Sequence, residues 1–258
     1  WNYERIGLPF KEGGRTFFSK NSGLQNQAVF YVQEKPGAEP RVLIDPNTLA
    51  QDGTVALTAT RVSKDGKLVA YGTAAAGSDW NEYRVRSVDT GQDTGDVIKW
   101  VKFSGFGWTA DNRGFFYSRY PTPTVEAGTG KTFGKLENQR LYYHRLGTPQ
   151  SEDRLIHEIA AEPKWFVRGG TTEDGRYLVI NISRGSAAEN LVSLVDLGDP
   201  KAPAIGAPVR PLVDTWGAEY VVVGNDGSTI YVQTTADAPR KKLIAIDAGT
   251  TGIAVRLY

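Results

Sequence analysis

"SKDGKLVAY", residues 63–71, sets an Asp-Gly pair in front of an alternating apolar run, and "TEDGRYLVI", residues 172–180, does so again. Asp-Gly favours a type I′ hairpin, because both central residues of that turn need positive φ. A period-two run rich in Val, Ile and Tyr after such a turn reads as a strand. The same marker returns in "KEGGRTFF" (11–18), "ADNRGFFY" (110–117) and "NDGSTIYV" (225–232). Measured at Gly14, Gly66, Asn112, Gly175 and Gly227, the copies lie 52, 46, 63 and 52 residues apart. A second marker, a strand running into a polar turn, appears in "VLIDPNT" (42–48), "RSVDTGQ" (86–92), "YHRLGTP" (143–149), "SLVDLGD" (193–199) and "IAIDAGT" (244–250). From Asp45, Asp89, Gly147, Asp196 and Asp247 its steps are 44, 58, 49 and 51. Two independent markers share one register of roughly fifty residues, the mark of a repeat protein.

The repeating unit is β. With 29 Gly and 13 Pro, the chain is too rich in helix breakers for a helical array, and no window of a dozen residues carries a 3.6 period. About eighteen candidate strands give three to four per unit. The fold class is therefore all-β: a β-propeller of four-stranded antiparallel blades, about five of them, spanning residues 1–258. A β-sandwich would space its strands evenly but without a second-order period near fifty. Five blades fit a closed five-membered ring or part of a larger one, and the residues alone leave both open.

Composition excludes several classes. Apolar residues make up 40% and charged residues 23% of the 258, with a net charge of +1, so no long-range field calls for nucleic acid or an acidic membrane. The basic cluster "PRKKL" (239–243) reads as a solvated strand end. There is no cysteine, hence no disulfide and no thiolate metal site. No apolar run approaches the ~18 residues of a membrane helix. The chain starts at Trp1 and contains no Met, from which a missing natural N-terminus is expected.

The motifs that could carry chemistry are weak. "EAGTGKTF" (126–133) resembles the end of a phosphate-binding loop, with Lys131 and Thr132 as the phosphate and Mg²⁺ ligands. That pattern needs a Gly five residues before Gly130, where Val125 stands, and it needs a helix afterwards. A surface loop is the better reading. No G-x-S-x-G elbow occurs, and the two histidines, His144 in "LYYHRL" and His157 in "RLIHEIA", read as strand residues rather than a general base. No metal-ligand spacing is present, and the acidic residues sit mostly in Asp-Gly and Asp-Pro turns. Residue chemistry thus gives no catalytic residue, no metal site and no cofactor, and points to a scaffold or cover.

Longer strings carry a resemblance. "WNYERIGLPFKEGGRTFFSKNSGLQNQAVFYVQ" (1–33), "VLIDPNTLAQDGTVAL" (42–57), "AAGSDWNEY" (75–83), "WVKFSGFGWTADNRGFFYSRYP" (100–121), "LYYHRLGTPQSED" (141–153) and "EPKWFVRGGTTEDGRYLVI" (162–180) are similar to the propeller of the prolyl oligopeptidase (prolyl endopeptidase) family of serine peptidases. The likeness covers nearly all of residues 1–247 and weakens after Arg210, and the tail "TTGIAVRLY" (250–258) has no counterpart in it. "NYERIGLPFKEGGR" and "KFSGFGW" favour the prolyl branch over other peptidases of the superfamily.

The resemblance implies hydrolysis of short peptides on the C-terminal side of proline. A seven-bladed propeller would cap an α/β-hydrolase domain that supplies Ser, Asp and His. This chain would then hold about five of the seven blades and none of the catalytic domain. Its partners would be short proline-containing peptides and its own hydrolase domain, as a monomer, and cytoplasm and bacterial periplasm both fit. The resemblance also marks four residues. Phe103 lines the pocket beyond the proline. Phe166, where some members have Met, forms an apolar wall. Ser186 stands where some members have Cys. Asp79 matches a carboxylate that steadies a substrate-gripping Arg of the peptidase domain, a pairing suited to bidentate contact, while its neighbour Trp80 packs. The rival reading is a non-catalytic propeller that binds peptides or proteins.

Overall fold

The repeat marker folds into a turn that its own side chains close. In the copy at 63–68, Gly66 N–H donates to the Ser63 carbonyl at 2.8 Å, and Ser63 N–H donates to the Leu68 carbonyl at 2.9 Å. The Asp65 carboxylate accepts from the Ser63 hydroxyl at 2.6 Å and from Lys67 N–H at 3.1 Å. Thr109, Asp111 and Arg113 repeat this arrangement, as do Thr172, Asp174 and Arg176. In each copy one residue takes positive φ: Gly66 (70°), Asn112 (56°) and Gly175 (75°). These are therefore four-residue loops closed by an Asp cap, not the two-residue type I′ turns that Asp-Gly suggests. The Ser or Thr three residues ahead of that positive-φ position lengthens the loop by offering the carboxylate a hydroxyl. Two adjacent positive φ values occur in the first copy alone, at Gly13 (55°) and Gly14 (81°), where Glu12 pairs directly with Arg15.

The computed structural model describes residues 2–50, 53–75, 78–122, 124–125, 132–133, 136–249 and 256–257. Most of the phosphate-loop-like stretch 126–133 and most of the 250–258 tail lie outside the described residues. The chain divides into two compact units, Trp1–Lys102 with Leu146–Glu152, and Phe103–Arg145 with Asp153–Tyr258.

The first unit holds two groups of antiparallel strands. In the first, β1 (Arg5–Ile6) and β2 (Phe10–Glu12) pair with successive parts of β3 (Arg15–Asn21), followed outward by β4 (Val29–Gln33) and β5 (Arg41–Ile44). In the second, β6 (Ala56–Val62), β7 (Leu68–Ala74), β8 (Asn81–Ser87) and β9 (Asp93–Val101) form an antiparallel meander. Period-two alternation aims Phe17, Phe30, Val32 and Ile44 of one sheet at Val62, Val69, Tyr71 and Val88 of the next, and all eight are buried. Each such side chain stabilises the fold by about 1.5–3 kcal/mol. Arg15 ties the pair together, donating to Glu34 at 2.6 Å and to the Gly66 carbonyl at 2.9 Å, with Asp89 as a further partner.

The second unit holds the remaining antiparallel strands, in three groups. The third group comprises β10 (Gly107–Trp108), β11 (Gly114–Arg119), β14 (Arg140–Arg145) and β15 (Arg154–His157), with a small ribbon of β12 (Thr124–Val125) and β13 (Thr132–Phe133) between β11 and β14 in sequence. The fourth runs β16 (Trp165–Thr171), β17 (Tyr177–Arg184), β18 (Asn190–Asp196) and β19 (Arg210–Val213). The fifth runs β20 (Tyr220–Asp226), β21 (Thr229–Thr234), β22 (Lys242–Asp247) and β23 (Arg256–Leu257). Phe116 and Leu141 pack on Val167, Leu178 and Ile180, and Tyr177, Val192 and Val213 pack on Ile230, Val232 and Ile244. One polar group is sealed inside the third set of strands. Asp153 Oδ1 lies 2.7 Å from His144 Nδ1, its Oδ2 accepts from the Tyr117 hydroxyl at 2.6 Å, and neither the His144 nor the Asp153 side chain is exposed. The mutual bonds offset a desolvation that an unpaired group could not bear.

Candidate functional site

Phe103 and Phe166, the two aromatics marked from the sequence, meet edge to face with ring centroids 5.5 Å apart. Such pairs contribute beyond the area they bury. Phe166 belongs to β16, while Phe103 sits just ahead of β10 with φ 54° and remains 47% exposed. Positive φ on a bulky aromatic is costly and persists only when the surroundings impose it. Gln139 supplies part of that constraint. Its buried amide donates to the Phe103 carbonyl at 3.4 Å and accepts from Val167 N–H at 2.9 Å. Ser118 hydroxyl donates to the Val167 carbonyl at 2.6 Å, and Ser118 N–H donates to Ser104 Oγ at 2.8 Å. Side chains from outside β16 thus hold both backbone groups of Val167, the residue after Phe166. Nothing in the spacing of "ENQR" (137–140) marked Gln139 for this role.

Ser186 stands apart from that pair. It lies in the exposed turn that follows β17, three residues beyond Ser183, which is the register partner of Phe166.

Asp79 belongs to the first unit. Its side chain is 80% exposed, and Oδ2 accepts from Lys102 Nζ at 3.0 Å, while the lysine side chain is only 10% exposed. The ammonium also lies 5.6 Å from the Trp80 ring centre, a cation–π contact, and Trp80 meets Trp100 edge to face at 6.1 Å. Trp80 does pack, and its packing shapes the carboxylate's surroundings. Trp100 takes φ 62°, which breaks the alternation of β9 and explains why strand periodicity gave no hint of Lys102. The result is an exposed carboxylate backed by a buried cation, able to take a second cation at its open face.

His144 and His157 both lie in strands, β14 and β15. Burial pushes the His157 imidazole below its ordinary value, with Glu158 opposing. Among the described residues no group of three or more His, Cys, Asp or Glu converges on a possible metal position.

A family model described as prolyl oligopeptidase, N-terminal beta-propeller domain, matches residues 1–254. The chain belongs to this family. The prolyl endopeptidase of Elizabethkingia meningoseptica is 37% identical over 244 residues, which is 95% of this chain and 33% of that protein. Prolyl oligopeptidase A of Galerina marginata is 37% identical over 270 residues, 95% of this chain and 36% of its own length. The structure of prolyl oligopeptidase B from Galerina marginata bound to a 25mer macrocyclization substrate aligns with a TM-score of 0.89 at 30% identity, covering 100% of this chain and 38% of that one. The chain therefore spans about a third of the length of the relatives it matches. The fifty-residue repeat and the antiparallel blades are those of a prolyl oligopeptidase β-propeller domain. No helix among the described residues is long and apolar enough to cross a membrane.

Proposed function

We propose that this chain is the substrate-gating propeller portion of a serine-type prolyl oligopeptidase that hydrolyses short peptides on the C-terminal side of proline. The triad of Ser, His and Asp belongs to an α/β-hydrolase domain outside residues 1–258. In that enzyme His accepts the serine proton during acyl transfer. This segment makes no bonds: it filters peptides by size and adds wall to the proline pocket. Phe103 and Phe166 form an apolar rim of that pocket, Ser186 borders it, and Asp79 fixes a guanidinium of the peptidase domain. The enzyme acts as a monomer in the cytoplasm or a bacterial periplasm.

The observation that supports this reading best is the edge-to-face Phe103–Phe166 pair, held at 5.5 Å by buried hydrogen bonds in a chain of this family. The test uses the full-length protein that contains this chain, with chromogenic peptides carrying proline or alanine before the leaving group. Cleavage after proline with strong preference over alanine is expected, together with a loss of kcat/KM for Phe103→Ala. Absence of cleavage in a folded protein that still binds the peptides would replace the peptidase reading with a binding platform.

A further inference from the structure

β16 carries Phe166, Arg168 and Gly170 on one face, since side chains alternate along a strand. The Arg168 guanidinium lies 5.3 Å from the Phe166 ring centre. Several arginines in the blades pair with a carboxylate, among them Arg15, Arg41, Arg86, Arg140 and Arg176. Arg168 is exposed, and among the described residues it forms no ion pair. It opens into a cleft of about 450 Å³ between β16 and β20, whose lining includes Asn181 opposite it on β17, Gly170, Tyr220 and Val222. A Cβ placed on Gly170 would touch nothing within 4 Å, so the cleft has room beside the guanidinium. Glu173, in the loop that follows β16, lines the same cleft. The cleft thus has a cation beside the aromatic pair.

We propose that Arg168 selects peptides that carry a carboxylate a few residues from the proline, receiving it in this cleft. The inference rests on the peptidase reading for the identity of the ligand, and it adds a preference that the aromatic pocket alone does not supply. A guanidinium already stacked on Phe166 is held in place, so it loses less freedom on pairing with a planar carboxylate.

The test compares matched proline peptides with Glu or Gln at each position within four residues of the proline, in the full-length protein. One Glu position is expected to exceed its Gln partner in kcat/KM by roughly three- to tenfold at low salt, and the ratio should shrink in 0.5 M NaCl. Arg168→Ala should bring the ratio to about one and Arg168→Glu should invert it, with thermal melting as the check that both variants fold. A ratio near one at every position in the parent protein, or a ratio that survives Arg168→Ala, overturns the proposal. Should no proline peptide be cut, fluorescence anisotropy with the same labelled peptides reads the Glu-to-Gln ratio in binding. A Glu preference lost in Arg168→Ala then upholds the cleft while the peptidase reading falls, and equal binding, or none, overturns the cleft as well.

Discussion

Asp79 and Gln139 show how differently two polar residues can be placed within their own units. Asp79 is exposed and pairs with the buried Lys102, so its removal weakens the compensation of that ammonium as well as depriving any docking cation of a partner. In the full-length enzyme Asp79→Ala is expected to lower kcat/KM about tenfold, the worth of one charged hydrogen bond, a larger effect than the modest fall in melting temperature from loss of the Lys102 pair. Steady-state kinetics beside calorimetry decide this, and unchanged kinetics would remove Asp79 from the site. Gln139 is the reverse case. Gln139→Ala strands the buried Val167 N–H and frees Phe103, at a cost of about 1–3 kcal/mol. Urea unfolding should register that loss, together with a raised KM for proline peptides. Asp79 and the two phenylalanines were singled out as candidates from the sequence because they sit in long, unusual strings. Lys102, Gln139 and Arg168 were not, because their roles depend on a left-handed Trp100, a backbone group two strands away, and a neighbouring ring.

Elements were easier to read than residues, because a turn writes its chemistry in adjacent letters. The fifty-residue period and the four-strand unit follow from the recurring Asp-Gly and Asp-Asn turns. The detail that escaped is the Ser or Thr that widens three of them into capped four-residue loops. Those tips also touch. A Cβ on Gly175 would lie 2.5 Å from the Ala110 Cβ, and φ there is 75°. Gly175→Val should therefore destabilise the second unit by about 2 kcal/mol or more, measurable as a lowered denaturation midpoint. In β15, burial holds the His157 imidazole below 6.5, so below that pH the unfolded chain binds more protons than the folded one. Stability is then fullest above about pH 6.5 and declines as the pH falls towards the folded-state value. His157→Gln should flatten that part of the pH–stability curve, and an unchanged slope would assign it to other groups.

For the molecule as a whole, Val221 and Val223 on β20 are 41% and 57% exposed. A strand with apolar residues on an open face invites self-association. The 258-residue chain on its own is expected to associate with increasing concentration in light scattering, and Val221→Lys with Val223→Lys should suppress it. Equal masses for parent and variant would show that this face is harmless. The balanced charge and the lack of cysteine were plain from composition, whereas which strand faces stay open was not, because exposure depends on which sheets stack. The Trp80–Trp100 pair beside Lys102 has an optical consequence. A charge close to an indole shifts its emission, and two indoles edge to face at 6.1 Å couple in the near ultraviolet. A guanidinium arriving at Asp79 would draw the carboxylate from the lysine and alter the field on Trp80. Under the proposed role of Asp79, Trp80 would be an unlabelled fluorescent reporter, able to follow docking in real time in a stopped-flow cuvette.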